Sequence, residues 1–536
     1  MAARKPPPPA PFSSFGWSFT GALLLALSLP PLGLYPLAWV GLVPLIARWA
    51  AQRPSLDYVR EVYALLLTTS CCAGFWLLFN PDPSQAALGG VSLFLVPVPL
   101  TVAFALAGVV KERVGLRAGL VALVLNVLAT EFLLLAYGAT VPLLVLGNTQ
   151  AEGVEFIQMA DLGGVLLLSL WVLLLNAAAY LALPRSRRPG ERYGERSAAI
   201  AVFTALVALP VAYGSVRTAQ SEVPAGYARV GIVQPGVPPR DWDRQDAATK
   251  VDYLAELSDD LLGRWTPADP ASARSGGTPS LLVWPQSSLP FMGTERAERQ
   301  LYDRLQTWAA RRDITLLAGA HTATDAVDRR YGTPQADEIA NSAVLIRPGR
   351  SLVRYDQMRP VRFADFEAAP GSQRVLLEAD GVRVATAVGF ESLYGDHLRR
   401  FTAGGANLFV VLSRNDLWGR SAGLYQHLQI TRLRAIESRR AVLLSSVSGV
   451  SAFIGPSGRI DQIGGWMDQD AEPVEVPTYR GETFYVRHGD WVGVWALVLG
   501  LLFSVSVAGL SVFAPELMGQ VTRIKPSKRR RSLART

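Results

Sequence analysis

Eight apolar runs constrain the fold of this chain more than any other feature of its sequence. They cover residues 16–31, 34–50, 61–80, 91–110, 117–137, 161–183, 198–214 and 491–514. Each run approaches the ~20 residues that a helix needs to cross the apolar core of a bilayer. Charged residues still make up 18% of the chain. We therefore predict an eight-helix transmembrane bundle joined to a water-exposed domain.

Basic residues sort to alternate connections between these runs. Arginine and lysine occur before the first run, after the second, fourth and sixth runs, and in the tail from Arg523 to Arg531. The connections near residues 81–90 and 138–160 contain neither. Under the positive-inside rule, this alternation predicts that both termini are cytoplasmic and that the long segment 215–490 lies outside.

The predicted organisation has five parts. Residues 1–15 form a Pro-rich cytoplasmic tip, 16–214 hold spans one to seven, 215–490 form the outer domain, 491–514 form the eighth span, and 515–536 form a basic cytoplasmic tail. The first run is not a signal peptide, because no small-residue cleavage site is evident and a second span follows at once. The net charge of +8 is concentrated beside the spans, which indicates an anchor on anionic lipid rather than a nucleic-acid-binding surface.

Cysteine and intramembrane charge limit the chemistry further. The only cysteines, Cys71 and Cys72, are adjacent within an apolar run, where small apolar core residues are expected rather than a disulfide or a metal site. Glu131 is a carboxylate inside a span. Such a group usually faces a bundle interior or water, so it either contacts a lipid headgroup or pairs with a neighbouring helix.

The outer domain alternates short β-rich runs with helical patterns, which indicates a layered sheet covered by helices. Predicted helices cover residues 246–263, 294–312, 391–403 and 421–439. The predicted strands are Ala228–Gln234, Leu281–Pro285, Thr315–Gly319, Ala343–Arg347, Leu352–Gln357, Val375–Leu377, Val382–Val388, Leu408–Leu412, Val442–Val447 and Ala452–Gly455.

The strand Val382–Val388 ends abruptly at Gly389, and a helical pattern follows. A strand that turns sharply into a helix has the shape of a nucleophile elbow, which exposes one side chain at the top of a sheet. Here the exposed position holds a glycine, which has no side chain to attack a substrate.

Several long motifs occur in a fixed order along the outer domain: IVQPGVPPRDWD at 232–243, LLVWPQSSLPF at 281–291, YDQMRPVRFADFE at 355–367, VGFESLYGDHLRRF at 388–401 and LSRNDLWGRSAGLYQHLQITRLRAIESRR from 412. With the apolar runs, they make the chain resemble the apolipoprotein N-acyltransferases of the nitrilase (carbon-nitrogen hydrolase) superfamily. The resemblance implies a nitrilase-like α-β-β-α sandwich domain on the outer, periplasmic face of a bacterial inner membrane. It also implies transfer of an acyl chain from a phospholipid, through a cysteine, to the N-terminal amine of a lipoprotein.

The resemblance implies that a glutamate, a lysine and a cysteine carry the catalysis of that family. The matching positions in this sequence hold Gln286 after Trp-Pro, Gln357 after Tyr-Asp, and Gly389 before Phe-Glu, so all three are substituted. Two accessory acids match Asp365 and Glu391. The resemblance implies neither a cofactor nor a metal.

These substitutions remove the nucleophile, the base and the charged donor that thioester-forming transfer needs. Ser392 is the nearest hydroxyl but is expected on the following helix, and Ser287 and Ser288 are expected to cap or line the pocket. Lys250 is expected on an exposed helix. The four histidines lack metal-ligand spacing and are expected to be structural or surface residues.

We therefore predict a catalytically silent relative, a pseudoenzyme, that binds lipid or lipoprotein acyl chains or serves as an accessory subunit of an envelope complex with other membrane proteins. The alternative is an active N-acyltransferase with a non-standard site.

Aromatic residues near the presumed pocket allow two interpretations. Trp284, Phe363, Phe390 and Trp418 either surround the cavity mouth or belong to the core. Arg359 and Arg362 fall near the same place, where they either hold a phosphate or form a solvated face.

Overall fold

The computed structural model describes residues 15–52, 55–138, 141–183, 193–220, 224–264, 279–289, 296–323, 339–361, 368–379 and 381–513. The described part of the chain has a helical portion up to residue 220, a portion with two β-sheets, and a final apolar helix. The nitrilase-like sheet domain and the apolar helices agree with the predicted fold class.

Among the described residues, the helical portion contains ten α-helices, and a final apolar helix ends the part that follows the sheets. Their bounds are α1 Phe15–Leu27, α2 Ala38–Gly41, α3 Val43–Ala51, α4 Leu56–Gly74, α5 Pro83–Leu95, α6 Pro97–Val114, α7 Leu116–Tyr137, α8 Val154–Ile157, α9 Ala160–Ala182, α10 Tyr193–Ala219 and, after the sheets, Trp491–Phe513. Capping side chains define several of these ends. The hydroxyl of Ser55 accepts from the amide of Tyr58 at 3.2 Å at the start of α4, and the carboxylate of Asp82 accepts from the amide of Ser84 at 2.7 Å at the start of α5.

Five described helical stretches are long and apolar enough to cross a membrane: Leu56–Phe79, Pro83–Val114, Leu116–Tyr137, Ala160–Ala182 and Gly194–Ala219. The predicted runs 16–31 and 34–50 correspond to shorter helices, α1 and the pair α2–α3. The last run also gives a shorter apolar helix within the described side chains, Trp491–Val507. The count of eight spans therefore stays a prediction.

Glu131 is fully buried within α7. Its Oε1 atom accepts a hydrogen bond from the amide of Leu146 at 2.9 Å. The partner begins the 3₁₀ helix Leu146–Gln150 in the segment after α7, and it satisfies one carboxylate oxygen inside the protein. This contact favours the internal alternative over a lipid headgroup.

The described residues between α10 and the final apolar helix contain twelve strands in two six-stranded sheets. Their bounds are β1 Gly226–Gln234, β2 Leu281–Trp284, β3 Thr315–Ala323, β4 Ile339–Ile346, β5 Val353–Asp356, β6 Leu377–Ala379, β7 Val382–Val388, β8 Leu408–Ser413, β9 Ala441–Ser446, β10 Ser451–Ile454, β11 Ile460–Gly464 and β12 Asp470–Thr478. The strand orders are β12-β1-β2-β3-β4-β5 and β11-β10-β9-β8-β7-β6. In each sheet three central strands are parallel: β1, β2 and β3 in one, and β7, β8 and β9 in the other.

Helices cover the outer faces of the two sheets, and one short helix, α16 in the numbering below, packs on other helices. They are α11 Pro239–Arg244, α12 Ala247–Arg264, α13 Arg296–Arg312, α14 Gly395–Ala403, α15 Ala422–Ser438 and α16 Phe484–His488, so that the final apolar helix Trp491–Phe513 is α17. Apolar side chains of both sheets, such as Val283 and Val411, form one core, while α12 and α13 pack on the other face of the first sheet. This is the expected α-β-β-α arrangement.

Ten of the strands correspond to predicted ones, and β11 and β12 were not predicted. The helix predicted from residue 391 begins at Gly395, because residues Gly389–Leu393 form a 3₁₀ helix first. Sequence patterning locates elements more securely than their ends.

Helix α15 joins the sheet domain to the helical bundle. The carboxamide of Gln426 accepts from the indole of Trp76 at 3.1 Å and donates to the carbonyl of Pro30 at 3.2 Å. At the other end, Arg439 pairs with Asp161 at 2.8 Å. These buried polar contacts fix the sheet domain against the bundle.

Candidate functional site

A cavity of about 500 Å³ opens where the parallel strands β2, β7 and β8 end. The carboxyl ends of parallel strands meet at one edge of a sheet, where ligand sites of α/β domains commonly form. Its lining includes, among others, Lys250, Gln286, Ser287, His321, Asn341, Gly389, Phe390, Arg414, Leu417, Trp418 and His427. Both polar and apolar side chains therefore face the same space.

Gly389 occupies the turn directly after β7. Its φ angle is 60°, a left-handed conformation that glycine adopts without steric cost. The chain passes there from a strand into the 3₁₀ helix Gly389–Leu393, so the sharp turn predicted from the sequence is present. It presents no side chain to the cavity.

Gln286 and Gln357 approach the same end of the sheets. Gln286 lines the cavity, and no hydrogen bond joins its carboxamide to another part of the described chain. Gln357 is fully buried. Its Nε2 atom donates to the carbonyl of Val388 at 3.0 Å, and its Oε1 atom accepts from Nδ2 of Asn341 at 2.9 Å. The structure therefore places Gln357 against the residue that precedes the glycine turn.

Glu391 lies beneath the turn and is fully buried. Its carboxylate accepts hydrogen bonds from the Tyr355 hydroxyl at 2.9 Å and from the amides of Met358, Arg359 and Val388 at 2.7–2.9 Å. Burial raises the pKa of Glu391 to about 7, and these hydrogen bonds oppose that rise. Through these hydrogen bonds, Glu391 links the turn after β7 to the segment after β5.

The predicted aromatic residues separate into two groups. Trp284 is fully buried in the core, where its indole donates to the Ser258 hydroxyl at 2.9 Å. Phe390 and Trp418 do line the cavity, with ring centroids 5.0 Å apart. Trp76, from the end of the α4 stretch, contacts both rings at centroid distances of 6.2 Å and 5.4 Å. Trp76, Phe390 and Trp418, the aromatic trio, connect the cavity wall to the bundle.

Three other predicted site residues, Arg362, Phe363 and Asp365, lie outside the described residues. Arg359 is described, and its guanidinium donates to the carbonyl of Leu135 at 3.1 Å and lies 5.2 Å from the Tyr394 ring centroid. Arg359 is therefore partly occupied with the end of α7, which neither of the two interpretations anticipated.

Several lining residues were not anticipated from the sequence. Lys250 was expected on an exposed helix, but it lines the cavity with its Nζ atom 5.2 Å from the Trp242 ring centroid. His321 lies beyond the predicted end of β3, because that strand continues to Ala323. The residues after Gly319, Ala-His-Thr-Ala at 320–323, do not alternate between apolar and polar, so no local pattern indicated that the strand reaches His321.

His427 and Ser392 form a hydrogen-bonded pair beside the cavity that the sequence did not predict. The Ser392 hydroxyl is 2.9 Å from Nε2 of His427 and 3.0 Å from the Thr431 hydroxyl. Burial lowers the pKa of His427 to about 4, although a hydrogen bond with the Gly389 backbone opposes this. The imidazole is therefore neutral at pH 7 and acts here as a fixed hydrogen-bonding group.

No group of three or more His, Cys, Asp or Glu side chains within the described ranges is placed to hold a metal ion. The site contains hydroxyl, imidazole, amide, carboxylate and cationic groups.

Comparisons with known proteins match both portions of the chain. The family model for the apolipoprotein N-acyltransferase N-terminal domain matches residues 21–178, and the carbon-nitrogen hydrolase model matches residues 229–470. An apolipoprotein N-acyltransferase of Chlorobaculum tepidum is 27% identical over 533 residues, covering 89% of this chain and 94% of the relative. One of Azotobacter vinelandii is 31% identical over 386 residues, covering 67% of this chain and 68% of the relative.

Among solved structures, the chain is similar to Nit3 of Saccharomyces cerevisiae, a member of branch 10 of the nitrilase superfamily. The two are 14% identical with a TM-score of 0.36, covering 50% of this chain and 95% of Nit3.

Proposed function

Because this chain belongs to the apolipoprotein N-acyltransferase family, we propose that it is a membrane protein that holds acyl lipid in its cavity without performing the cysteine-dependent transfer. In this proposal, positions 286, 357 and 389 correspond to the family's glutamate, lysine and cysteine. Phospholipid and the acyl chains of lipoproteins are the proposed ligands, and other membrane proteins are possible partners.

One observation supports this proposal most strongly. The protein has a cavity at this end of the sheets, but the turn after β7 that lines it holds a glycine and therefore offers no nucleophilic side chain. A thioester needs a thiolate, and the outer domain contains no cysteine. The lining combines Phe390, Leu417 and Trp418 with polar side chains. An apolar wall with a few polar groups is typical of sites for amphiphilic ligands.

Retention of lipid tests the binding proposal. We expect the full chain, purified in detergent from membranes, to carry about one lipid per protein, measured by mass spectrometry of the extracted lipids. Leu417 is half-buried in the cavity wall, so Leu417→Asp places a charge against the acyl chain and should reduce retention at least tenfold. The reason is the high cost of burying an unpaired carboxylate.

A matched control is Leu376→Asp, which changes another half-buried leucine that does not line the cavity. Equal lipid content in both variants and the unchanged protein would contradict binding at this site. Transfer of an acyl chain to the amine of a diacylated lipopeptide would support the alternative, an active N-acyltransferase. If the chain showed neither lipid retention nor acyl transfer, a purely structural subunit of an envelope complex would be favoured.

The proposed location is the bacterial inner membrane, with residues 215–490 in the periplasm and both termini in the cytoplasm. The alternation of basic residues supports this orientation. Reporter fusions after residues 190 and 300 should give opposite signals, with a cytoplasmic reporter active at the first site and a periplasmic reporter active at the second. The same reporter active at both sites would rule out this topology.

A further inference from the structure

Ser287 combines an unusual backbone with an accessible hydroxyl. It follows Gln286 in the turn after β2 and lines the cavity. Its φ angle is 59°, which is uncommon for a residue other than glycine and often marks a functional position. The turn is held in place by the amides of Ser288 and Leu289, which donate to the carbonyl of Gly319 at 3.0 Å and 2.9 Å. The position of the hydroxyl is therefore well determined.

His321 faces this hydroxyl across the cavity edge. The Oγ atom of Ser287 is 3.2 Å from Nε2 of His321, within the reach expected between a nucleophile and its base. Burial lowers the pKa of His321, nearby Arg414 and Lys250 lower it further, and a hydrogen bond with Asn341 opposes these effects. The imidazole is thus neutral at pH 7 and able to accept a proton.

Two amides beyond His321 define its orientation. The carbonyl of Val388 can only accept, so it requires Nε2 of Gln357 to point toward it. The Oε1 atom of Gln357 then accepts from Nδ2 of Asn341. This leaves Oδ1 of Asn341 to accept in its side-chain hydrogen bond with His321, which is its partner residue on the neighbouring strand. With Nε2 facing Ser287, the proton belongs on Nδ1. The direction of every hydrogen bond in this series therefore favours the tautomer that a general base needs.

Two further groups suit the charges of an acyl-transfer reaction. The carboxamide of Gln286, unbonded within the described chain, faces the cavity next to Ser287 and can donate to a developing oxyanion. The ammonium group of Lys250 lies in the same cavity as the carboxylates of Asp82 and Asp243. Asp243 pairs with Arg414 at 2.8 Å and Asp82 caps α5, whereas no carboxylate of the described chain lies within ion-pair distance of Lys250. This ammonium group favours substrates that also carry an anionic group.

We propose that Ser287, His321 and Asn341 form a serine nucleophile site that hydrolyses carboxylic esters, with esters of anionic lipids as the substrate class. The Ser287 Oγ atom forms a bond to the acyl carbon as its proton moves to Nε2 of His321. The ester C–O bond breaks, and the leaving alcohol takes that proton. Water then attacks the acyl-serine with His321 as the base, releasing a carboxylic acid and restoring the hydroxyl. This inference goes beyond the proposed binding function and assigns a reaction to the same cavity.

The test uses the full chain in detergent with a fluorophosphonate reagent, in which the serine oxygen displaces fluoride from phosphorus. We expect one adduct per chain, mapped to Ser287 by peptide mass spectrometry, and measurable hydrolysis of p-nitrophenyl butyrate. Ser287→Gly should abolish both, and it suits the left-handed backbone, so loss of folding does not explain the result. His321→Gln should slow labelling at least 100-fold, since it removes the base.

Ser288→Ala is the matched control, because the Ser288 hydroxyl is fully buried and donates to the carbonyl of Pro285 at 2.6 Å. Its labelling rate should be unchanged. Asn341→Ala tests positioning: it should slow labelling about tenfold and move the pH midpoint of labelling lower, because the Asn341 hydrogen bond raises the pKa of His321. A change in folding alone would not produce that shift.

Absence of labelling in the folded chain, labelling at the fully buried Ser392, or an unchanged rate in His321→Gln would each overturn the inference. These results are separable from the binding proposal. If the chain retains lipid but is not labelled, only the serine-site inference is contradicted. If it is labelled but carries no lipid, only the binding proposal is contradicted.

Discussion

The triple variant Gln286→Glu, Gln357→Lys, Gly389→Cys is expected to form a thioester with acyl lipid at position 389, whereas none of the three single variants should do so. Thiol, base and cation act as a unit, and removing one member of such a unit can cost about as much as removing all, roughly 10⁴ to 10⁶ in rate. The three positions meet at the carboxyl ends of β2 and β7 and at the end of β5. The variant therefore tests two points. One is that these positions correspond to the family's glutamate, lysine and cysteine, and the other is that their substitution accounts for the proposed lack of transfer activity.

The structure indicates what each substitution costs. Gln286→Glu breaks no hydrogen bond within the described chain. Gln357→Lys keeps a donor for the carbonyl of Val388 but loses the acceptor for Asn341. Gly389→Cys places a side chain at a φ angle of 60°, which costs about 1–2 kcal/mol. Typical domains are stable by about 5–15 kcal/mol, so the variant should fold.

Maleimide reactivity and intact mass after incubation with phospholipid provide the measurements. Cys71 and Cys72 are replaced by alanine in every variant, so that only the new thiol reacts. Ser372→Cys supplies an exposed reference thiol away from the cavity. We expect the thiol at position 389 to react at least 100-fold faster than the reference. Equal rates in a folded triple variant would show that the cavity no longer supports thiol chemistry.

Loss of the Glu391 carboxylate is expected to have the largest effect on stability. Glu391→Ala would leave the amides of Val388, Met358 and Arg359 without their acceptor. The Tyr355 hydroxyl would keep only Nε2 of His397, 3.1 Å away. Each unsatisfied buried donor costs about 1–3 kcal/mol. Allowing for relaxation, we expect a loss of about 3–5 kcal/mol in the free energy of unfolding, measured by denaturation in detergent. The exposed Glu475→Ala provides a matched control, with an expected change within about 0.5 kcal/mol. A similar small change for Glu391→Ala would contradict this role.

The pH dependence of stability provides a second measurement on Glu391. Its pKa is raised from 4.5 to about 7 by burial, so the folded state holds the proton more tightly than the unfolded state. This contribution is fully present below pH 4.5 and is lost as the pH rises through 7. Relative to Glu391→Gln, which does not titrate, the unchanged protein should lose about 3 kcal/mol across that interval. If the difference in unfolding free energy between the unchanged protein and Glu391→Gln did not depend on pH, the raised pKa of Glu391 would be contradicted.

Sequence patterning predicted most of the sheet domain because its central strands are continuous apolar runs. Val382–Val388 was predicted with the bounds that the structure has, since both of its ends carry clear signals. β12 was missed because Asp470–Thr478 contains Pro473 and Pro477 and does not alternate strictly between exposed and buried residues. β11 was missed because only Gly464 of its five residues is buried. Proline normally argues against a strand, but β12 is an edge strand, where it is tolerated.

The candidate site was predictable only in part. Position 389 followed from a local pattern, the end of a strand before a helix. The pairing of Ser287 with His321 depends on the parallel alignment of β2 and β3, which brings together residues 34 positions apart. No periodicity in the sequence reports such a contact. Trp284 was equally ambiguous, because a buried core indole and a cavity-lining indole look alike in sequence.

The aromatic trio has a consequence for how a ligand reaches the cavity. Trp76 belongs to a stretch that can cross a membrane, and its neighbours Phe75 and Phe79 are exposed, as expected of side chains that face lipid. An acyl chain that enters between these rings passes from one apolar medium directly into another. A route through water would instead expose a dozen methylenes at a cost of roughly 10 kcal/mol. Sideways entry avoids this solvation barrier, so the speed of loading would depend on how readily the rings of Trp76, Phe390 and Trp418 move apart.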